Sequence, residues 1–166
     1  FTLQAGATVE TTGNVTIRGD TDAGADSAGS IINLLGTINA DTVAVYGADD
    51  NDVVTIGNVT SGSETAIWTN AGSDSVNIRT IDAETTVHAG TGGDTVNVGS
   101  AAPGVGGNVD GISASLIING EGGSDTLNLD DTGDTAGNDG TLTSTMITGL
   151  GMSTGITYGT LEHLNI

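Results

Sequence analysis

Apolar residues recur at fixed distances from four aspartates spaced along the chain. The aspartates are Asp52, Asp74, Asp94 and Asp125, which are 22, 20 and 31 residues apart. Seven residues before each aspartate, and again two and four residues after it, the residue is valine, isoleucine or leucine. Polar or small residues lie between these aliphatic positions, as in a strand with one buried face. The pattern predicts a repeated unit of strand, Gly-rich turn and strand.

A repeat period near twenty residues is typical of a solenoid. We therefore predict an all-β fold, a right-handed parallel β-helix of about 20–22 residues per coil with loop insertions. Coils stacked at the strand spacing of about 4.8 Å would bring each aliphatic column into contact along its length. We expect essentially no helix, because no segment has a 3.6-residue period. Val59 and Ile81 add a further apolar position in two copies, which leaves two-sided and three-sided coils open.

The ends of the chain follow the same scheme less closely. Near the end, Leu164 and Ile166 take the places that Leu127 and Leu129 hold after Asp125, and Glu162 takes the place of the aspartate. The long step from Asp94 to Asp125 contains additional residues around Pro103, which we interpret as a loop inserted into one coil. We expect residues 1–166 to form one segment with open coil edges at both ends, part of a longer tandem-repeat protein whose neighbouring repeats are its partners.

The charge balance limits the classes of partner that the chain can bind. The chain has 2 basic and 21 acidic residues and a net charge of −19. Nucleic acid is excluded as a partner, because no basic patch exists to neutralise phosphates. Membrane insertion is not expected, since no run of about 18 apolar residues occurs. An acidic chain without cysteine, rich in Thr, Gly and Asp, is what we expect outside a bacterial cell or on its surface.

The aspartate column is the strongest candidate for a binding site. In stacked coils, successive carboxylates about 4.8 Å apart would repel by roughly 1 kcal/mol in water and by several times more near a protein surface. A hard cation would reverse this, and Ca²⁺ accepts carboxylate and turn carbonyl oxygens in loose geometry. Calcium is therefore the predicted ion. The predicted ligands are Asp50, Asp52, Asp74, Asp94 and Asp125.

The turns resemble the GGxGxDxUx nonapeptide of RTX calcium-binding β-rolls. GEGGSDTLN, residues 120–128, and AGTGGDTVN, residues 89–97, each keep two glycines, the aspartate and the aliphatic residue. TNAGSDSVN keeps Gly72, Asp74 and Val76, and GADDNDVVT has Asp50 where a glycine belongs. RTX rolls carry a loop every nine residues, whereas this chain has one per twenty or so. The resemblance thus implies a wider β-helix with calcium on a single edge.

The last third of the chain resembles units of very large bacterial surface proteins of the haemolysin-type calcium-binding and adhesin-like kind. The similar phrase runs from ING to the final LEHLNI. The resemblance implies an exported protein built of many such units, with a structural or adhesive role and no catalytic activity. The expected function is therefore a structural or adhesive segment stabilised by calcium in its Asp/Gly-rich turns.

Two further acidic clusters are candidates for cation binding, and solvated acidic side chains are the alternative explanation for both clusters and for the aspartate column. They do not fit the EF-hand pattern, which requires a glycine at position six and a glutamate at position twelve. The sequence offers no suitable set of ligands for zinc or copper, since there is no cysteine and the two histidines lie in different coils. The clusters are Asp20, Asp22 and Asp26, and Asp130, Asp131, Asp134 and Asp139.

Two other functions are open. The outward column Tyr46, Trp68, His88 offers rings on which a surface glycan could stack, although such residues also serve simply to cover strands. A polysaccharide-processing β-helix is the enzymatic alternative, but the sequence singles out no acid/base pair and offers only Arg18 and Arg79 to bind an acidic sugar. We therefore predict no catalytic residues.

Overall fold

The computed structural model describes residues 1–20, 28–58 and 64–166. Within these ranges the chain is all-β, and no residue is helical. In chain order the strands are β1 (Thr2–Leu3), β2 (Thr8–Glu10), β3 (Val15–Arg18), β4 (Ile31–Leu34), β5 (Thr37–Asn39), β6 (Thr42–Ala48), β7 (Val53–Ile56), β8 (Glu64–Gly72), β9 (Ser75–Ile78), β10 (Thr85–His88), β11 (Thr91–Gly92), β12 (Thr95–Val98), β13 (Leu116–Asn119), β14 (Gly122–Gly123), β15 (Thr126–Leu129), β16 (Gly140–Leu142), β17 (Met146–Gly149), β18 (Ile156–Gly159) and β19 (His163–Asn165).

The strands form two large sheets and one small sheet. The first sheet has seven strands in the order β1-β4-β7-β9-β12-β15-β19, and every neighbouring pair is parallel. The second contains β3, β6, β8, β10, β13 and β18 in parallel, with β11 and β14 beside the end of β8 and the antiparallel strands β17 and β16 beyond β18. Strands β2 and β5 form a separate parallel pair. Each repeat thus sends one strand to each large sheet.

The register of the first sheet places equivalent residues side by side. Val54 pairs with Val76, Val76 with Val96, Val96 with Leu127, and Leu127 with Leu164. Each of the first four is at most 1% exposed. This confirms the predicted in-register contact of the aliphatic columns. β-Branched residues suit the arrangement because their side chains pack well on a pleated surface.

A third side is present in part of the chain. Val9 pairs with Ile38 between β2 and β5, and an isolated parallel bridge joins Ile81 to Ile112. Ile38, Ile81 and Ile112 are all at most 1% exposed. The further apolar position at Ile81 therefore belongs to a short side between the two large sheets, a point that the sequence left open. Val59, the other residue at this position, lies outside the described residues.

Side-chain amides form a continuous chain of hydrogen bonds along the first sheet. Asn77 Nδ2 donates to Thr55 Oγ1 at 3.3 Å, Asn97 Nδ2 to Asn77 Oδ1 at 2.9 Å and Asn128 Nδ2 to Asn97 Oδ1 at 2.8 Å. Asn165 Nδ2 donates to Asn128 Oδ1 at 2.7 Å. We call this series the asparagine ladder. It reinforces the register, because a shift by one residue would break every one of its bonds.

We expect Asn97→Ala to lower the free energy of unfolding by about 1–2 kcal/mol, since the substitution removes two bonds of the ladder. Equilibrium urea unfolding of the purified chain measures the change. The exposed Asn14 provides the matched substitution, and Asn14→Ala should alter stability by less than about 0.5 kcal/mol. Equal effects of the two substitutions would contradict a stabilising role for the ladder.

Candidate functional site

Each predicted aspartate ends a turn that leads from the second sheet to the first. In the turns before Asp74, Asp94 and Asp125, the residue four positions before the aspartate has a left-handed backbone: φ is 70° at Asn70, 94° at Gly90 and 68° at Glu121. Asparagine and glycine tolerate this region best. The three turns therefore share one backbone shape, although their sequences differ.

A glycine stands two residues before three of the aspartates because the turns approach one another closely. Gly72, Gly92 and Gly123 have φ values of 142°, 140° and 147°. Neighbouring members pair in parallel, and a Cβ on Gly92 or Gly123 would overlap the carbonyl oxygen of the preceding glycine. In the fourth copy Asp50 takes the corresponding place, and its carbonyl oxygen faces Gly72.

The aspartates form a series in which each side chain accepts a hydrogen bond from a backbone N–H of the preceding repeat. The N–H of Asp52 donates to Asp74 Oδ1 at 2.7 Å, that of Asp74 to Asp94 Oδ1 at 2.8 Å, and that of Asp94 to Asp125 Oδ1 at 2.9 Å. The four side chains are 1–3% exposed. We call the series the aspartate ladder. It supplies acceptors for backbone N–H groups that would otherwise be buried and unpaired.

The ladder extends one residue beyond the aspartates at each end. The N–H of Ser30 donates to Asp52 Oδ1 at 2.6 Å, and the N–H of Asp125 donates to Glu162 Oε2 at 2.7 Å. Glu162 therefore occupies the aspartate position, as its place in LEHLNI predicted. The substitution indicates that the position requires a carboxylate that accepts an N–H.

The second carboxylate oxygens define the unusual part of the site. Asp52 Oδ2 accepts the N–H of Ala48 at 2.8 Å. Oδ2 of Asp74, Asp94 and Asp125 is buried and has no hydrogen-bond donor. The hydroxyl of Thr69 lies near Asp74, but it donates to the carbonyl of Ala89 at 2.6 Å. Three carboxylate oxygens in adjacent repeats thus lack a partner.

Burial raises the pKa of two of these carboxyls, those of Asp74 and Asp94. Burial raises the pKa of Asp74 to about 6, although the Asp52 N–H and the nearby Thr69 hydroxyl both lower it, and the charges of Asp94 and Asp52 add to the rise. Burial also raises the pKa of Asp94, and the charge of Asp125 adds to it. A cation bound at Oδ2 or a proton carried there would each relieve the cost of the buried charge.

The predicted calcium ligands fit the ion in charge and only partly in arrangement. One oxygen each of Asp74, Asp94 and Asp125 is available, whereas Asp52 has both oxygens bonded and Asp50 lies outside the ladder. In the part of the chain that the structure describes, no three acidic or histidine side chains converge as metal ligands would. Calcium would therefore take most of its six to eight oxygens from backbone carbonyls or water.

The acidic loop after β15 uses its carboxylates to hold neighbouring backbone. Asp130 Oδ2 accepts the N–H of Gly107 at 2.7 Å. The hydrogen bonds to Asp130 lower its pKa, and the bond from the Thr132 hydroxyl has the largest effect. Asp131 Oδ1 accepts the N–H of Val109 at 3.2 Å, and burial raises the pKa of Asp131. These carboxylates tie the loop around Pro103 to the next repeat. Of the first acidic cluster, Asp22 and Asp26 lie outside the described residues.

If the aspartate ladder stabilises the fold by accepting N–H bonds, two substitutions at Asp94 should differ in stability. Asp94→Asn keeps an oxygen that accepts the Asp74 N–H, whereas Asp94→Ala leaves that N–H buried and unpaired, at a cost of about 1–3 kcal/mol. In EDTA at pH 7, urea unfolding should therefore show Asp94→Ala to be less stable than Asp94→Asn by about that amount. If both variants lose the same stability, acceptance of the N–H is not what the side chain contributes.

The aromatic residues of the second sheet stack on one another. The rings of Tyr46 and Trp68 have centroids 4.9 Å apart and planes 9° apart, and those of Trp68 and His88 are 5.6 Å and 3° apart. The Arg18 guanidinium lies 4.4 Å from the Tyr46 centroid, and His88 Nδ1 donates to Glu121 Oε1 at 2.8 Å. Tyr46 and His88 therefore cover the two faces of the Trp68 ring, which are not free for a glycan, and the glycan hypothesis stays a prediction.

Comparisons with known proteins give no evidence on function, so inferences about function rest on the residues of this chain. No family model, curated protein or solved structure matches this chain. Among the residues that the structure describes, there is no helix of the length and hydrophobicity needed to span a bilayer. The RTX and adhesin resemblances therefore stay predictions.

Proposed function

We propose that this chain is a segment of a right-handed parallel β-solenoid with a structural or adhesive role in a large exported bacterial surface protein. The observation that carries the proposal is the in-register parallel pairing of equivalent strands from β4 to β19. Pairing partners such as Thr55, Asn77 and Asn97 are 22 and 20 residues apart in the chain. Where equivalent residues are further apart in the chain, the additional residues form the loop around Pro103 and the hairpin β16–β17. A rod of this kind serves as a spacer or a display surface.

The disposition of the charged residues supports a passive role over catalysis. The carboxylates of the aspartate ladder are 1–3% exposed, so a polysaccharide cannot reach them. The chain has only two basic residues, and both are engaged: Arg18 covers Tyr46, and Arg79 Nε donates to the Ala102 carbonyl at 2.7 Å. Acid/base hydrolysis of a polysaccharide requires a pair of accessible carboxyl groups held close together. A scaffold requires none.

Calcium is the ligand that we propose for the ladder. The atoms that would hold it are Oδ2 of Asp74, Asp94 and Asp125, because they are buried and have no donor. The bound ion would supply positive charge between repeats, which removes the repulsion of neighbouring carboxylates and stabilises the turns. A ligand that binds only the folded chain raises the free energy of unfolding by RT ln(1 + [L]/Kd), so titration with CaCl₂ after EDTA treatment tests it.

The surface role is tested in the organism that carries the gene. Antibodies against residues 1–166 should label intact, unpermeabilised cells, and protease added outside should remove the epitope. An in-frame deletion of this segment should reduce attachment to surfaces or to other cells while the rest of the protein is still exported. Antigen found only inside intact cells would contradict the proposal.

The alternative is a β-helix that binds or processes polysaccharides. Its test is a glycan array, followed by measurement of product release from acidic polysaccharides in the presence of the purified chain. Specific retention of a glycan that the Trp68→Ala variant loses would favour this alternative. The covered ring faces lead us to expect no such retention.

A further inference from the structure

The direction of strand pairing changes at one place in the second sheet. From β3 to β18 each repeat adds a strand parallel to the one before, and β18 continues this with Leu116 opposite Ile156 and Asn119 opposite Gly159. On its other edge β18 meets β17, which runs antiparallel. Strand β16 then pairs antiparallel with β17. Residues 140–149 thus form a hairpin on the edge where the strand of a next repeat would pair.

The hairpin is fastened to β18 by polar and apolar contacts. The hydroxyl of Tyr158 donates to the Thr143 carbonyl at 2.6 Å, and the N–H of Tyr158 donates to the Thr145 carbonyl at 2.9 Å. Ile147 lies opposite Ile156, and the two side chains are 1% and 0% exposed. The hairpin therefore satisfies the backbone of β18 and covers the end of the apolar core.

We propose that residues 140–149 are an edge cap that prevents β18 from pairing with a second copy of this chain. An unpaired parallel-sheet edge of four residues backed by buried aliphatic side chains is a template for association. The cap replaces it with β16, which has only three residues, all exposed. The inference depends on the pairing of β17 with β18 and not on a surface role for the protein.

The geometry of the cap also identifies what would take its place. Because β17 meets β18 antiparallel, the edge accepts an antiparallel strand, and a second β18 related by a two-fold axis provides one. Removal of the cap should thus produce a closed dimer joined through β18, and not an open fibre. The chain carries a net charge of −19, so association should strengthen as salt screens the repulsion.

The experiment excises residues 140–149 from the full chain and bridges the gap with one glycine. The ends of the hairpin already meet, since the N–H of Leu150 donates to the Asp139 carbonyl at 3.1 Å. Light scattering after size exclusion should give the monomer mass of 16.2 kDa for the parent chain and about twice that mass for the excised chain. The control removes residues 101–107, whose flanks Ser100 and Asn108 are joined by a 2.8 Å backbone bond, and it should stay monomeric.

A second substitution separates strand pairing from adhesion of the uncovered core. Thr157 is exposed on β18, and Thr157→Lys in the excised chain would place two like charges at the β18–β18 contact. We expect this variant to return to the monomer mass, although its lower net negative charge would favour non-specific association. An excised chain that stays monomeric at 0.5 M NaCl, or a dimer that Thr157→Lys does not dissociate, would overturn the proposal.

A milder variant tests the cap if the excised chain does not fold. Tyr158→Phe in the intact chain removes the bond to the Thr143 carbonyl and leaves the core unchanged. We expect the dimer fraction at high protein concentration to rise a few-fold over the parent chain. A dimer fraction equal to that of the parent chain would count against the cap.

Discussion

The Gly92→Ala variant should be unfolded or close to it, with a loss of at least about 3 kcal/mol in the free energy of unfolding. A Cβ at this position would overlap the carbonyl oxygen of Gly72, and the φ of 140° is one that residues with side chains rarely adopt. The clash is with backbone, which cannot rotate away, so the turns of neighbouring repeats would have to separate. Urea unfolding followed by far-UV circular dichroism measures the loss.

Gly137→Ala is the matched control, because a Cβ at Gly137 would contact nothing within 4 Å. It should change the free energy of unfolding by less than about 0.5 kcal/mol. If Gly92→Ala is as stable as Gly137→Ala, the turns do not pack at the distance that the fold requires.

The metal-free chain should lose stability as the pH rises from about 4 to 7, by about 3 kcal/mol from Asp74 alone. Burial raises the pKa of Asp74 from 3.8 to about 6, and each pKa unit corresponds to about 1.4 kcal/mol. Since the folded-state pKa is the higher one, the folded chain holds the proton more tightly. The stabilisation is complete below pH 4 and is lost as the pH passes through about 6. The raised pKa of Asp94 acts in the same direction.

Urea unfolding in EDTA at several pH values measures this slope. Asp74→Asn is the control, because it removes the titration without changing the shape of the side chain, and its slope should be flatter than that of the parent chain. Saturating CaCl₂ should reverse the trend, since an ion held by Oδ2 binds the charged carboxylate and stabilises the fold most at neutral pH. A parent chain whose stability in EDTA rises between pH 4 and pH 7 would contradict the assignment of buried, unpartnered carboxylates.

The sheet architecture was predictable because in-register stacking leaves a direct trace in the sequence. A strand that pairs with its own equivalent places valine on valine and asparagine on asparagine, so the columns that contain Val76 and Asn77 can be read without knowledge of the fold. The same reasoning placed Glu162 in the aspartate column, and the hydrogen bond from Asp125 confirms it. The repeat is harder to recognise in the sequence where equivalent residues are far apart, as between Asp94 and Asp125.

The role of the aspartates was harder to read from sequence. A column of carboxylates indicates a shared environment, but a bound ion and a series of N–H acceptors produce the same column. The presence of Glu162 in the column does not separate the two, because both kinds of carboxylate accept N–H bonds and bind calcium. Trp68 shows a similar limit: its outward position was predicted, but its stacking between Tyr46 and His88 depends on rotamers that the alternation of residues does not specify.

The prediction of open edges at both ends was wrong for one edge of the second sheet, where β17 covers β18. The residues of the hairpin are mostly polar or glycine, and they interrupt the repeat without matching any of its columns. A segment of this kind reads as a loop. Its antiparallel pairing depends on where Thr143 and Tyr158 meet in space, which the repeat pattern does not encode.

The central claim is that equivalent residues of successive repeats lie against one another, and methyl-to-methyl nuclear Overhauser contacts measure this directly. With labelled Val, Leu and Ile methyl groups, we predict contacts from Val54 to Val76, from Val76 to Val96 and from Val96 to Leu127 in one unbroken series. A spectrum in which these methyl groups contact other partners, or one another in a different order, would contradict the account.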